Sequence, residues 1–270
     1  MTSGTSTWLA PGPAGNSPAV LICLLGQFQV FKQGQRLPLR HGGKIKSLLS
    51  ALALHEHQQA TRDALLEALW PGMDLDHASQ SLNTLVHALR RLLADALAGD
   101  PPLIRTDDGY QLNLSAGIDV DTLRFDSCTE LGSRQLRMGD RAGAAATFEE
   151  GLSIYQGDLC PGGTSLNVVI ERERLRALHL GALAHLTDYY FDLGDNGTAL
   201  QYAHRLLLAD PCREDAHRAV MRCYARLGQR AQAMKQYRLC RDILRREFQA
   251  APEPATDDLF AQLRRGHPAV

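Results

Sequence analysis

Ser79-Gln-Ser-Leu-Asn-Thr-Leu-Val-His-Ala-Leu-Arg-Arg-Leu-Leu93 carries two chemistries on one helix. Leu82, Leu85, Val86, Leu89 and Leu93 recur at steps of three and four, which gathers them into a single stripe turned toward a core. Gln80, Asn83, Thr84, His87, Arg90 and Arg91 are left on the opposite side, with Ser79 at its edge. Asn and Gln can pair bidentately with adenine edges, and Arg with guanine or phosphate, so this face suits a major groove. A merely solvated surface helix has the same pattern, and the neighbouring segments decide between the two.

Upstream, Leu21–Phe31 is rich in β-formers, and Lys32-Gln-Gly-Gln35 supplies a turn before Leu37-Pro-Leu39, which predicts a small N-terminal sheet. Ile45, Leu48, Leu49 and Leu52 give a helical stripe from about Gly43 to His55. Thr61 is placed to cap a second, short helix carrying Leu65, Leu69 and Trp70, ended by Pro71-Gly72. Beyond the third helix, Leu103–Thr106 and Tyr110–Leu114 flank Asp107-Asp-Gly109 as a hairpin. Sheet, three helices and hairpin make an N-terminal winged helix-turn-helix spanning residues 20–118.

From residue 119 the composition turns Ala-, Leu- and Arg-rich and predicts an all-α, tetratricopeptide-like domain over residues 119–270. Gly139-Asp140, Gly194-Asp195 and Gly228-Gln229 each separate a helical run from an Ala-rich one. The last two lie 34 residues apart, the tetratricopeptide period, with Ala199 and Ala233 in register. A Gly/Pro-rich loop, Gly157–Thr164, and an Arg/Glu-rich helix over Glu171–Leu180 lengthen the first interval. The fold class is therefore mainly α with small β-sheets. Residues 1–19, rich in Ser, Thr, Gly and Pro, form an N-terminal segment expected to be disordered.

The first domain resembles the OmpR-type DNA-binding domain of SARP-type bacterial transcriptional activators over about residues 20–120. The resemblance rests on Leu25-Gly26-x-Phe28-x-Val30, Lys44-x-Lys46-Ser-Leu-Leu49, Leu69-Trp70-Pro71, Ser81-Leu82, Leu89-Arg90-Arg91-Leu92-Leu93 and Gly109-Tyr110-x-Leu112. The second half is similar to the bacterial transcriptional activator domain (BTAD) of the same family, through Tyr155-x-Gly157-Asp158-Leu159, Glu171-Arg-Glu-Arg-Leu175, Asp210-Pro211-x-x-Glu214 and Tyr224-Ala225-x-x-Gly228. It departs at Asn167, where the family often carries Trp. The resemblance implies a third helix in the major groove and a wing on the backbone. It puts Ser79, Gln80, Asn83, Thr84, His87, Arg90 and Arg91 at double-stranded DNA, with Asn83, Thr84 and His87 nearest the bases and Lys46, Arg90 and Arg91 nearer phosphate. Arg105 is the cation closest to the wing tip. For the helical domain it implies dimerisation and contact with RNA polymerase or an effector.

Charge sets a quantitative constraint. The chain carries 29 Lys+Arg against 30 Asp+Glu, and residues 20–118 balance nine basic against nine acidic. Asp107 and Asp108 at the wing tip repel phosphate. With about four phosphates neutralised per domain, raising salt from about 50 to 200 mM costs on the order of 10²-fold in affinity. Useful occupancy then requires a homodimer, side-by-side copies on direct repeats, or a partner already on the DNA.

No enzyme constellation is legible. His55-Glu-His57 points to different helix faces, Gly162-Gly163-Thr164 lacks the Lys of a phosphate loop, and neither a nucleophile elbow nor a dinucleotide fingerprint occurs. The six cysteines form no Cys-x-x-Cys pair and are expected as reduced thiols. No cofactor or metal is expected. No apolar run reaches membrane-spanning length, so no membrane partner is expected and the location is expected to be cytoplasmic.

Two functions share this fold: a sequence-reading transcription factor, or a helical-repeat adaptor whose concave groove binds a peptide or small ligand with little DNA binding of its own. Under the first, a small anionic or nucleotide effector is expected at Arg172, Arg174 or Arg176, beside the Gly-rich loop.

Overall fold

The computed structural model describes residues 18–39, 43–163 and 165–265. The segment expected to be disordered lies outside them up to residue 17. The chain divides into two compact units, one of residues up to Phe125 with Ile154–Arg172, the other of Asp126–Ser153 with the chain from Glu173 onward.

The first unit opens with β1 (Val20–Cys23), β2 (Gln29–Lys32) and β3 (Gln35–Arg36). The β-forming run Leu21–Phe31, expected in a small N-terminal sheet, folds back on itself within it, with Leu21 opposite Phe31 and Ile22 opposite Val30. Gly26, at φ +90°, makes the reversal possible. The third strand falls at Gln35–Arg36 instead of Leu37–Leu39, because Pro38 has no N–H to offer a ladder. β7 (Ile118–Val120) joins β1 in parallel, giving the order β3-β2-β1-β7.

α1 (Gly43–Leu54), β4 (Gln59–Thr61), α2 (Arg62–Leu69), α3 (Leu75–Leu93), β5 (Leu103–Arg105) and β6 (Gly109–Leu112) complete the winged helix. As expected, Thr61 caps α2, its hydroxyl accepting from Ala64 N at 3.2 Å. α3 begins four residues before the quoted stretch, because Asp74 accepts from the amides of Asp76 and His77 at 3.1 and 3.2 Å. β4 has no strand signature of its own and exists through pairing with β6, giving the order β4-β6-β5. Leu48, Leu52, Leu65, Leu82, Leu89 and Leu93 are fully buried between the three helices, each contributing about 2 kcal/mol by removal from water.

The second unit is built from α4 (Asp121–Arg137), α5 (Arg141–Ile154), α6 (Leu166–Asp192), α7 (Asn196–Ala209), α8 (Glu214–Arg226), α9 (Arg230–Phe248) and α10 (Pro254–Arg265), of which α4 and α6 begin in the first. Gly139, Gly194 and Gly228 turn the chain at φ +81°, +82° and +73°. Five residues after each stands a buried alanine, Ala144, Ala199 or Ala233, which lets the next helix approach closely. The Arg/Glu-rich segment is not a separate short helix: α6 runs 27 residues without a proline. No two of the six cysteines are joined in a disulfide. Among the described residues no helix is long and apolar enough to cross a membrane.

Candidate nucleic-acid interface

α3 presents the face its periodicity implies. Ala78, Leu82, Val86, Leu89 and Leu93 are buried, whereas Gln80, Asn83, Thr84, His87, Arg90 and Arg91 are exposed and Ser79 half-buried. Thr84 turns its hydroxyl along the helix to Gln80 O at 3.0 Å. Arg90 and Arg91 occupy the last turn, where cations meet the negative end of the helix dipole.

A residue absent from the sequence reading organises this face. Arg62, the first residue of α2, donates from both Nη1 and Nη2 to Asn83 Oδ1 at 3.3 Å, and from Nη2 to Ser79 O at 3.2 Å. Its own N–H donates to Asp108 O at 2.8 Å. Arg62 thus ties the start of α2, the wing tip and the α3 face together. It orients the Asn83 carboxamide, whose carbonyl oxygen is taken up by the two guanidinium N–H groups while Nδ2 is left as a donor toward a base acceptor. Nothing in the spacing of residues 62 and 83 signals this; the only hint is an arginine following a capping Thr.

The wing turn is closed by Thr106 N donating to Gly109 O at 3.1 Å and Gly109 N donating to Thr106 Oγ1 at 3.0 Å. Asp107 and Asp108 are exposed at its tip, with Arg105 exposed at the end of β5. Lys46 is placed elsewhere: its Nζ stands 5.4 Å from the Phe28 ring centroid, a cation–π arrangement against the N-terminal sheet. The structure therefore gathers Ser79, Asn83 and Arg62 with the wing tip, while Lys46 belongs to a different neighbourhood.

This geometry has counterparts. Residues 37–112 match the profile of the transcriptional regulatory protein C-terminal domain, and residues 120–264, more than half of the chain, match that of the bacterial transcriptional activator domain. The chain belongs to the SARP-type family of bacterial transcriptional activator domain proteins. Among relatives of this SARP-type protein, the regulatory protein AfsR of Streptomyces coelicolor is 25% identical over 260 residues, covering 96% of this chain and 26% of AfsR. The regulatory protein DnrI of Streptomyces peucetius is 25% identical over 234 residues, covering 84% of this chain and 86% of DnrI. The SARP-type chain thus spans about a quarter of AfsR and most of DnrI. In fold it is similar to Mycobacterium tuberculosis EmbR, solved in complex with a low affinity phosphopeptide, with a TM-score of 0.74 at 21% identity, covering 94% of this chain and 67% of that one.

In the SARP-type chain's activator domain the three arginines expected at an effector do not converge. Arg172 donates to the carbonyls of Leu159, Cys160 and Gly163 at 2.8–3.0 Å and so staples the Gly-rich loop. Asn167, where the resemblance often has Trp, is exposed. Arg176 donates to Ala209 O at 2.7 Å. Arg174 forms a bidentate pair with Asp126 at 2.9 and 2.7 Å and lines a cleft of about 320 Å³ with Thr129, Glu130, Ser133, Arg134, Arg137 and Leu178.

Proposed function

We propose that this chain is a sequence-specific DNA-binding activator that reads a short major-groove element with α3. Copies stand side by side on direct repeats, and the helical domain joins protomers and recruits polymerase. The observation that carries the reading is the exposed row Gln80, Asn83, Thr84 and His87 with Arg62 bound to Asn83. Amide and guanidinium side chains held in fixed geometry are what adenine and guanine edges require. Arg90 and Arg91 supply phosphate contacts. The test is selection of bound duplexes from a random library with the full chain, at two salt concentrations. A repeated motif is expected, with Asn83→Ala and Arg62→Ala each weakening binding about tenfold or more and relaxing preference at one base position. Recovery of no motif even at low salt would leave the helical-repeat adaptor as the working description.

A second reading, effector control, is supported by the cleft between α4 and α6. Its volume is at the lower end of small-molecule sites, and its lining is polar with Leu178 as the apolar exception. Arg134, Arg137 and Arg174 would meet a compact anion there. Calorimetry of the full chain with ATP and with inorganic pyrophosphate is expected to give saturable heat that Arg134→Ala with Arg137→Ala abolishes; no heat from either rejects the site for phosphate-bearing ligands of that size.

A further inference from the structure

The proposed interface has too little positive charge for its task. The winged helix balances its acids and bases, and its wing tip is acidic. Cations are instead concentrated on α9. Lys235, Arg238, Arg241, Arg245 and Arg246 are all exposed, whereas Ala233, Cys240 and Leu244 form the buried side of the same helix. At about 100° per residue the five cations fall within an arc of about 140° opposite the buried stripe, over a rise of about 17 Å.

Few of these charges are committed. Arg241 meets its sequence neighbour Asp242 at 3.2 Å, and Arg246 meets Glu247 at 3.1 Å, with every side chain at least half exposed. Adjacent pairs in water hold little energy. Lys235, Arg238 and Arg245 make no ion pair among the described residues. Elsewhere in the same unit arginines are used structurally: Arg218 is paired with Glu253, and Arg226 donates to Phe191 O and stacks on the Phe191 ring at 3.6 Å. A row of long cations at one-turn spacing, paired only weakly at Arg241 and Arg246, costs self-repulsion, which an anionic partner would relieve.

We propose that the exposed face of α9, through Lys235, Arg238, Arg241, Arg245 and Arg246, is a second DNA-backbone contact, sequence-independent and separate from the reading helix. It rests on the DNA-binding reading above. The rise of the stripe is about that of five base pairs along a duplex, within which phosphates of one strand lie at spacings the side chains can follow. The face lacks the amide and hydroxyl groups of a base reader, so it contributes affinity without sequence preference. It also adds counterion release to that of the few phosphate contacts of the winged helix.

The experiment is fluorescence anisotropy of the full chain on two labelled 30-base-pair duplexes, one recovered by the selection and one unrelated, over a range of salt. Wild type is compared with the triple variant Lys235→Gln, Arg238→Gln, Arg245→Gln. Losing three phosphate contacts lowers the slope of log K against log salt by about 2.7 and weakens binding near 150 mM salt on the order of 10²-fold, equally on both duplexes. Arg141→Gln with Arg205→Gln, a loss of exposed charge elsewhere in the unit, leaves the slope unchanged. An unaltered slope in the triple variant, with wild type binding well, overturns the α9 contact alone. If transcription activation in cells is also lost in that variant, the face serves an acidic protein partner instead. Failure of wild type to bind either duplex at low salt overturns the DNA-binding reading along with it.

Discussion

Asp121→Ala is expected to destabilise the first unit by about 3 kcal/mol at pH 5, and by less as pH rises through 6. The cause is the break in the N-terminal sheet. Where β1 ends, the amides of Leu24 and Leu25 turn from the ladder, and both are captured by the Asp121 carboxylate at 2.8–2.9 Å. Asp121 is 4% exposed, so no water replaces it, and removing it orphans two buried donors at about 1–3 kcal/mol each. Burial also pushes the Asp121 carboxyl up to about 6, against hydrogen bonds from Leu25, Leu24 and Thr122 that pull it down. The native state therefore binds this proton more tightly than the unfolded chain does. The favourable contribution is complete below the unfolded value of 3.8 and is lost as pH rises through 6, an interval worth about 3 kcal/mol by linkage. Denaturant unfolding followed by Trp70 fluorescence, for wild type and variant at pH 5, 6, 7 and 8, measures the difference. A difference that is flat across that range, or that grows with pH, would contradict the assignment. Asp119, also raised by burial and coupled to Asp121, contributes a smaller part of the same sign.

Periodicity and turn chemistry made the helices legible. The stripe Leu82 to Leu93, the Thr61 cap and the glycines at 139, 194 and 228 are local signals, and local signals specify helices because a helix bonds within itself. The small sheets were legible in composition and not in path. Leu21–Phe31 reads as continuous β-former, yet whether it runs on or doubles back depends on Gly26 and on a carboxylate 97 residues from Leu24. β4 depends wholly on β6. The candidate site divides in the same way. The exposed row on α3 follows from 3.6-residue periodicity, whereas Arg62 joins it only because α2 and α3 pack, and no spacing rule connects residues 62 and 83. The arginines at 172, 174 and 176 show the converse: a cluster in sequence need not be a cluster in space. Placed at every second residue, they point around a helix by about 200° per step of two, and each finds a different partner. The α9 stripe was present in the sequence all along, but a basic run on an amphipathic helix acquires meaning only when its neighbours prove not to neutralise it.

Gly109→Ala is expected to cost about 3 kcal/mol or more and to abolish DNA binding by the winged helix, although Gly109 offers no group to DNA. A methyl group there would stand 2.0 Å from Ala60 O and 2.8 Å from Thr61 Cα. Both contacts are backbone, so no rotamer change relieves them and β4 must move away from β6, an overpacking strain at or above the usual range. Three features depend on that approach. Thr61 pairs with Gly109 in the β4–β6 register and caps α2; Gly109 N closes the wing turn onto Thr106; and Arg62, next after Thr61, is held by Asp108 O. Displacing β4 displaces Arg62, and with it the hold on Asn83 Oδ1 and Ser79 O. A shift of about 1 Å in a positioned recognition group is enough to lose most of its contribution. The measurements are the unfolding midpoint by Trp70 fluorescence and binding to the selected duplex below that midpoint. Arg62→Ala serves as comparison, because it removes the hold on Asn83 without straining the sheet. If Gly109→Ala lowers the midpoint while leaving affinity and base preference intact, Arg62 is no link between wing and reading helix; if Arg62→Ala reproduces the loss of preference at an undisturbed midpoint, the glycine acts through it.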